Sequence, residues 1–513
     1  MSSTRALLAE EMAAIEWNAE FLGVTRFLMM ENAGRAVAHE ILRRFKQLPS
    51  VAIFAGLGGN GGDGFVTARH LAPRCRVVHV ITLGDPSTSL NAPAFQNWEI
   101  MTKMRHSINL HIIRDSSELP KIEATVVVDA LLGTGVTGKP RAPIIKTLQL
   151  MNKMEGFKVA IDIPTGIHPN TGEPTTKEAF RPDLTVTFHR PKLGLRKNKE
   201  RVGKLIVADI GIPPEAELYV GPGDVIRATQ PRPIFTKKGD FGRLLIIGGS
   251  SQYIGAPILA SMGALRSGVD LVYLAAPPQV ITAATSHSPD LIPVTLQSDK
   301  LVNDDLSPIE EALSNVQAVL IGPGIGDHHE TLDTVGKLLS IANRMKKPIV
   351  IDADALRVVS RVMKIGSNTI ITPHAGEFRR IRGINVAKPL LQRAQQVRDL
   401  AKTLKCIVLL KGPVDITSTP TETRLNWTGH PTMSVGGTGD VLAGLVAGFR
   451  AQGINSFLSA CAGAFVNGAA GLMAYREKGP GAIAFDLGEY IPRVLADPMA
   501  SPIAYTFRIP INE

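Results

Sequence analysis

Short apolar runs recur along the chain, each ending in glycine or polar residues, and helix-patterned stretches separate them. Residues 6–17 and 27–45 carry apolar positions at helical spacing and predict two opening helices. Residues 51–55 have the length of a buried strand and run into 56–64, where six of nine positions are glycine; a helix is expected over 65–71. Further strands are predicted at 77–81, 125–129 and 158–162, with helices at 92–104 and 142–153 between them. The second half repeats the alternation with strands at 244–247, 319–321, Ile349–Ile351, Thr369–Ile371 and Ile407–Leu410 and a small-residue helix at 256–267. Strand alternating with helix specifies an α/β fold with mostly parallel sheets. Pro and Gly punctuate 211–214 and 221–223, which places a linker near 217–228 between a first domain, 1–218, and a second, 225–508.

Length agrees with this division, because 513 residues are too many for one core. A hydrophobic content of 44% suits a globular α/β protein. Cys75, Cys406 and Cys461 are odd in number and match no disulfide or zinc spacing, and the first residues lack a signal-peptide core, so a reducing, cytoplasmic setting is expected. Residues 451–475 are uncharged and long enough to span a membrane, but their Gln, Asn, Ser, Ala and Gly content favours a buried helix with a break near its start. The net charge of +10 gathers in no basic tail or domain. Its densest cluster, Lys192, Arg196, Lys197, Lys199, Arg201 and Lys204, has no interleaved aromatics and matches no nucleic-acid module; a solvated loop and an electropositive rim for phosphate-bearing small molecules fit it equally. Neither nucleic acid nor membrane is an expected partner.

The candidate chemistry sits at strand ends. Gly436, Gly437, Gly439 and Asp440 open an apolar stretch that predicts a buried helix. A glycine turn at a helix N-terminus gathers unpaired N–H groups that favour an anion, above all phosphate. A carboxylate there is a poor phosphate ligand but a good general base for a hydroxyl attacking a phosphoryl group, whereas a plain N-cap is the alternative role for Asp440. The 56–64 loop has the strand, glycine turn, helix layout of a second phosphate cradle. Asn60, Asp63, Asp129 and Asp162 also fall at strand ends, where α/β sheets bind ligands. Asn60, Asp129 and the Thr165 hydroxyl offer hard oxygens only, which suits an alkali or alkaline-earth cation.

Residues 30–35, 56–64, 129–135 and 162–166, extended by 184–188 and 191–194, resemble the epimerase domain of bifunctional NAD(P)H-hydrate repair enzymes. The resemblance implies a Rossmann-like three-layer αβα domain that interconverts the R and S hydrates of NADH and NADPH. By it, Gly59, Asn60, Gly61, Gly62, Asp63, Gly133, Thr134, Gly135, Val136, Thr137, Gly138 and Lys139 hold the nucleotide. Asp162 lies at the reacting ring as a catalytic residue, and Asn60, Asp129 and Thr165 hold K+. Thr165 stands where serine is common and keeps the hydroxyl; Gly59 replaces a common asparagine.

Gly322–Gly326, the 372–377 loop, residues 411–415 and residues 436–440 resemble, in order and spacing, the ribokinase-like αβα dehydratase domain of the same enzymes. The resemblance implies removal of water from the S hydrate at the expense of ADP or ATP with Mg²⁺. Asp440 is then the catalytic base. Ala256, Gly324, His374 and Asp440 contact the hydrate, and Lys411, Gly412, Pro413, Val414, Asp415 and Gly439 contact the adenine nucleotide. For Glu377, a surface carboxylate and a place near Mg²⁺ stay equally open. Small-molecule substrates are the expected partners and a homo-oligomer the expected assembly. The competing functions are a ribokinase-like kinase of a vitamin alcohol with a passive N-terminal domain, and an N-terminal scaffold without activity.

Overall fold

A computed structural model describes residues 5–45, 47–86, 91–135, 138–229, 231–360 and 365–502. The chain divides into two compact units, Met1–Pro214 and Glu215–Glu513. The division falls slightly before the expected boundary at 218, and the segment expected as a linker belongs to the second unit. There, Glu215–Leu218 and Pro222–Ala228 are helices, and Arg424 donates to the Tyr219 carbonyl and pairs with Asp224 at 2.8 Å.

In the first unit the strands are β1 (Leu48–Ala55), β2 (Cys75–Leu83), β3 (Ile108–Ile113), β4 (Val126–Ala130), β5 (Phe157–Ile161), β6 (Leu184–Phe188) and β7 (Lys204–Ala208). They form one sheet in the order β3-β2-β1-β4-β5-β6-β7, parallel throughout. The chain reverses its direction of strand addition between β1 and β4, and ligands of such sheets bind at that switch point. β1, β4, β5 and β6 end in fully buried residues, as central parallel strands covered on both faces must.

One sequence expectation is corrected here. The helix after β1 starts at Gly59 rather than at residue 65, so most of the glycine loop is the first turn and a half of the Gly59–Leu71 helix. Glycine costs about 1 kcal/mol per helical position relative to alanine. Close packing outweighs that cost: a Cβ on Gly61 would strike the Gly56 carbonyl oxygen, and one on Gly62 would lie 2.6 Å from the Met30 sulfur and 2.9 Å from the Ala94 Cβ.

The second unit adds β8 (Arg243–Ile247), β9 (Leu271–Ala276), β10 (Leu291–Thr295), β11 (Ala318–Ile321), β12 (Ile349–Ile351), β13 (Thr369–Ile371), β14 (Ile407–Leu410), β15 (Asp415–Ser418) and β16 (Thr423–Asn426). Their order is β10-β9-β8-β11-β12-β13-β14-β15-β16, parallel up to β14 and antiparallel beyond it. Three small-residue helices cover one face. Gly444 of the Thr438–Ala451 helix lies against the backbone of Ala260, and Gly263 of the Gly255–Arg266 helix against that of Val441, so these helices meet backbone to backbone. The Ser456–Lys478 helix follows a break at 452–455; although apolar enough in its core to cross a membrane, 89% of that window is buried inside the unit, as in a core helix.

That crossing generates a prediction. Gly444→Ala puts a methyl where the Ala260 carbonyl stands, which should cost on the order of 1–3 kcal/mol through overpacking. Thermal unfolding should show a Tm lower by several degrees; an unchanged Tm would mean the two helices do not touch there.

Candidate active sites

The carboxyl ends of β1, β4, β5 and β6 converge on a pocket of about 510 Å³ in the first unit. Gly58 caps the Gly59–Leu71 helix without a side chain, and the first intrahelical bond runs from the Gly62 N–H to the Gly58 carbonyl at 3.2 Å. The amides of Gly59, Asn60 and Gly61 therefore have no acceptor inside the helix, and the positive end of its dipole faces the pocket. Of the residues expected to hold the nucleotide, Gly59, Asn60, Asp63, Gly133, Thr134 and Gly135 line this pocket. Gly61 and Gly62 are buried behind it, Gly138 and Lys139 are exposed and do not line it, and Val136 and Thr137 lie outside the described residues.

Asp162 follows β5 with a left-handed backbone, φ 61°, a conformation few non-glycine residues adopt and one that recurs at functional sites. Its N–H still donates to the Val186 carbonyl at 2.8 Å. Its Oδ1 accepts from the Thr187 hydroxyl at 2.9 Å and from the Lys192 ammonium. Lys192 is 1% exposed, so it belongs neither to a solvated loop nor to an electropositive rim. Glu16, from the Ala9–Phe21 helix, and Asp63 complete the group. Burial pushes Glu16 up to about 7 against the pull of Lys192, and burial with Asp162 and Glu16 nearby holds Asp63 well above the usual carboxylate range.

Behind them lies a second cluster. Asp129 is fully buried; its Oδ2 accepts from the Thr165 N–H at 2.7 Å and its Oδ1 from the Thr165 hydroxyl at 2.7 Å and the Leu131 N–H at 3.1 Å. The Thr165 oxygen in turn accepts from the Leu132 N–H at 3.1 Å. Asn60 donates to the Leu132 carbonyl at 3.1 Å, and its Oδ1 is buried with no hydrogen-bond partner. Burial raises Asp129 to about 6 against these hydrogen bonds.

In the second unit Gly437, φ 99°, turns the chain into the Thr438–Ala451 helix and is itself the N-cap. Asp440 is therefore not a cap but a first-turn residue, beside the amides of Thr438 and Gly439, which have no acceptor in the helix because the first bond runs from the Val441 N–H to the Gly437 carbonyl. The Lys411 Nζ would lie 3.2 Å from a Cβ on Gly439 and donates to Asp352 Oδ1 at 2.7 Å, an oxygen that also accepts from Thr372 at 2.7 Å. Asp352, 1% exposed at the end of β12, is a site residue the sequence did not single out. Burial, reinforced by Asp352 and Glu377 and opposed by Lys411, pushes Asp440 up to about 7.

Glu377 is 8% exposed, which removes the surface-carboxylate alternative. Its Oε2 accepts from the His374 N–H at 2.8 Å, and burial pushes it up to about 7. The His374 ring accepts from the Gly376 N–H at 2.9 Å and caps the Ala375–Arg382 helix, with its side chain 58% exposed. Burial and Lys411 hold this imidazole below its ordinary value. Ala256 lies against Gly324, 3.2 Å from the position of a Cβ there. Of the expected nucleotide residues, Asp415 spends its oxygens on the Gly412 N–H and the Asn426 amide, each at 3.0 Å, and Val414 is in the core, so both shape the loop.

The profile of the NAD(P)H-hydrate dehydratase family matches residues 244–493, and that of the YjeF-related protein N-terminus matches 27–194. A bifunctional NAD(P)H-hydrate repair enzyme of Hyperthermus butylicus is 42% identical over 96% of this chain and 93% of its own length. The chain belongs to the bifunctional NAD(P)H-hydrate repair enzyme family. Other relatives of that name, from Methanothermobacter thermautotrophicus and Pyrobaculum aerophilum, are 44% and 43% identical, each over 94% of this chain and 94% and 97% of their own lengths. Both halves of the repair enzyme family are thus matched within single relatives.

The dehydratase-side carboxyls link this geometry to stability. Asp440 and Glu377 have folded values raised above the unfolded ones, so their contribution is fully present below the unfolded values, near 4, and is lost as pH rises through about 7. Asp440→Asn removes one of these groups. The ligand-free variant should exceed the wild type in Tm by more at pH 8 than at pH 5; a variant that is less stable at pH 8 would refute the placement of Asp440.

Proposed function

We propose that the family's two repair reactions take place at these two strand-end sites. The N-terminal unit interconverts the R and S hydrates of NADH and NADPH, and the C-terminal unit dehydrates the S hydrate with ADP or ATP. The full-length match to two-activity relatives supports this over a kinase with a passive N-terminal domain.

The observation that carries the dehydratase assignment is Asp440 in the first turn of a glycine-capped helix, with Lys411 alongside. Hydroxide is a poor leaving group at neutral pH and phosphate a good one. Asp440 takes the proton of the hydrate's hydroxyl, and that oxygen attacks the terminal phosphoryl group. The helix amides and the Lys411 ammonium stabilise the charge that develops; phosphate then leaves with the C–O electron pair, the neighbouring ring carbon gives up the proton that hydration placed there, and the dihydropyridine is restored. A base value of about 7 suits this task, since a general base works best near the operating pH. The described residues hold no cluster of three or more acidic, histidine or cysteine side chains fit for a metal, so a Mg²⁺ here would be carried by the nucleotide phosphates, with Glu377 among the carboxyls beside Lys411 that could approach it. Incubating the protein with mixed NADH hydrates and ADP or ATP, and following the absorbance of reduced nicotinamide, tests the assignment.

In the epimerase unit the orphaned Asn60 oxygen, the buried Asp129 carboxylate and the Thr165 hydroxyl fit an alkali cation. When bound, K+ would balance the Asp129 charge and fix the 131–135 turn through Asn60 and Thr165. A reducing, cytoplasmic setting, the one expected from three scattered cysteines, is part of this reading.

Two further outcomes follow from the residue roles. Asp440→Asn should lower dehydration by a factor on the order of 10²–10⁴ while R and S hydrates still exchange, and Asp162→Asn should do the reverse. Chromatography of both hydrates and NADH over time separates the two; loss of exchange in folded Asp440→Asn would refute independent sites. For the cation, K+ should raise the Tm of the wild type and of Thr165→Ser but not of Thr165→Val, because the hydroxyl oxygen is the ligand. Equal Tm values in potassium and tetramethylammonium at pH 8 would remove the cation from this site.

A further inference from the structure

Glu16 lines the epimerase pocket together with Asp63 and Asp162, although it comes from the opening helix, far from any glycine motif. The three carboxyl groups are unequal. Asp162 already holds the Lys192 ammonium and the Thr187 hydroxyl on one oxygen. The side chains of Glu16 and Asp63 have no hydrogen-bond partner among the described residues. The other cation facing Glu16, Arg26, is 3.0 Å from Glu20 and lies over the Trp17 ring at 3.4 Å. Glu16 is thus a half-buried carboxyl whose neighbours in the pocket are two other carboxyls and one ammonium already bonded to Asp162.

The chemistry of exchange asks for such a group. Water adds to an enamine-like dihydropyridine with its proton on the β-carbon and its oxygen on the carbon next to the ring nitrogen. Inverting that carbon takes one proton donor and one acceptor. The donor protonates the hydroxyl, the C–O bond breaks with its electron pair leaving as water, and the nitrogen lone pair closes a C=N bond. Water then returns to the other face, a new C–O bond forms, and its proton passes to the acceptor. One proton moves from donor to acceptor in each exchange, and no oxidant or further reactant is needed.

Resting on the assignment of epimerisation to this unit, the geometry points to Glu16 as the proton donor of the reaction, with Asp162 as the acceptor. Asp162 carries its counter-ion and a donated hydroxyl, which prepares it to accept. Glu16 carries neither, and burial among Asp63, Asp162, Lys192 and Arg26 leaves it able to hold a proton near pH 7 and to give it up. Asp63, held above the usual carboxylate range by burial and by Asp162 and Glu16, is the third carboxyl of the pocket. Glu16 regains its proton from solvent at the pocket mouth.

The test is Glu16→Gln in the full chain. Glutamine copies the shape of the neutral acid, so the fold should be kept and the Tm should be no lower than that of the wild type. Exchange of R and S hydrates should fall on the order of 10²–10⁴-fold in kcat, with little change in KM. The wild type should lose kcat/KM above about pH 7, this loss should vanish in Glu16→Gln, and Glu16→Asp should restore part of the rate. Dehydration of the S hydrate with ADP or ATP in the same variant should be unchanged. Wild-type exchange and an unchanged pH profile in Glu16→Gln, while Asp162→Asn is inactive, would overturn Glu16 as donor and leave the epimerase assignment standing. A lower rate that comes through KM with the pH profile unmoved would overturn it equally. A wild-type chain with no exchange above the spontaneous rate would overturn both.

Discussion

Each unit buries one lysine ammonium among three carboxyl groups: Lys192 with Asp162, Asp63 and Glu16, and Lys411 with Asp352, Glu377 and Asp440. In each case the ammonium is bonded to one carboxylate and leaves two others unneutralised. Removing a charge from water costs several kcal/mol even after relaxation, so a buried carboxyl without a partner takes up a proton instead. One ammonium for three acids therefore brings part of each cluster close to half-protonation at neutral pH. Groups in that condition can both give and accept protons during turnover, which a fully paired cluster cannot do.

The surrounding structure serves to make that burial possible. The clusters lie where helix N-termini meet the carboxyl ends of parallel strands, and the backbones there approach more closely than side chains would permit. Gly61 against Gly56 sets the Gly59–Leu71 helix onto the pocket, and Gly444 against Ala260 sets the helix carrying Asp440 onto its neighbour. The helices then supply fixed amide dipoles for anions without further side chains. The same positions are costly for folding, since they place glycine inside helices. The fully buried strands β4, β11 and β12, with the buried carboxyl-terminal parts of β1 and β8, supply the apolar surface that offsets the cost.

Much of this was legible in the sequence where one signal dominated. Central strands such as residues 51–55 and Ile407–Leu410 are buried on both faces and read as continuous apolar runs, and the chemistry at their ends followed from position. Edge strands such as β3, with exposed and polar positions, and the Thr-rich hairpin β15–β16 lacked that signal and were missed. The helix start at Gly59 was misplaced because glycine content argues for a loop unless the packing partners are known. Lys192 was hidden inside a basic cluster whose other members follow the usual solvated pattern. Glu16 was hidden in an opening helix where a single acid is unremarkable by composition. Asp352 stood at a strand end like the other acids, but only Lys411, 59 residues later, marks it as a site residue. Local patterns identify elements; the charge partners that define a site are distant in sequence.

The two clusters differ in what their ammonium can reach, and this separates their chemistry. Lys411 lies next to Gly439, at the amides that open the Asp440 helix, so its charge adds to the helix dipole where a phosphoryl group would sit. That arrangement stabilises negative charge passing between oxygens, the requirement of phosphoryl transfer. Lys192 is held by Asp162 and Thr187 over the Phe188 ring, and is almost fully buried. It does not extend the anion-favouring amides at Gly59, and its charge acts instead on the acid that it contacts. Inverting a hydrated carbon transfers protons and water with no phosphoryl charge to stabilise, so an ammonium spent on setting one carboxylate is used where that reaction needs it. The same ratio of charges, with the lysine aimed at an anion hole in one unit and at an acid in the other, supports two different steps of one repair sequence.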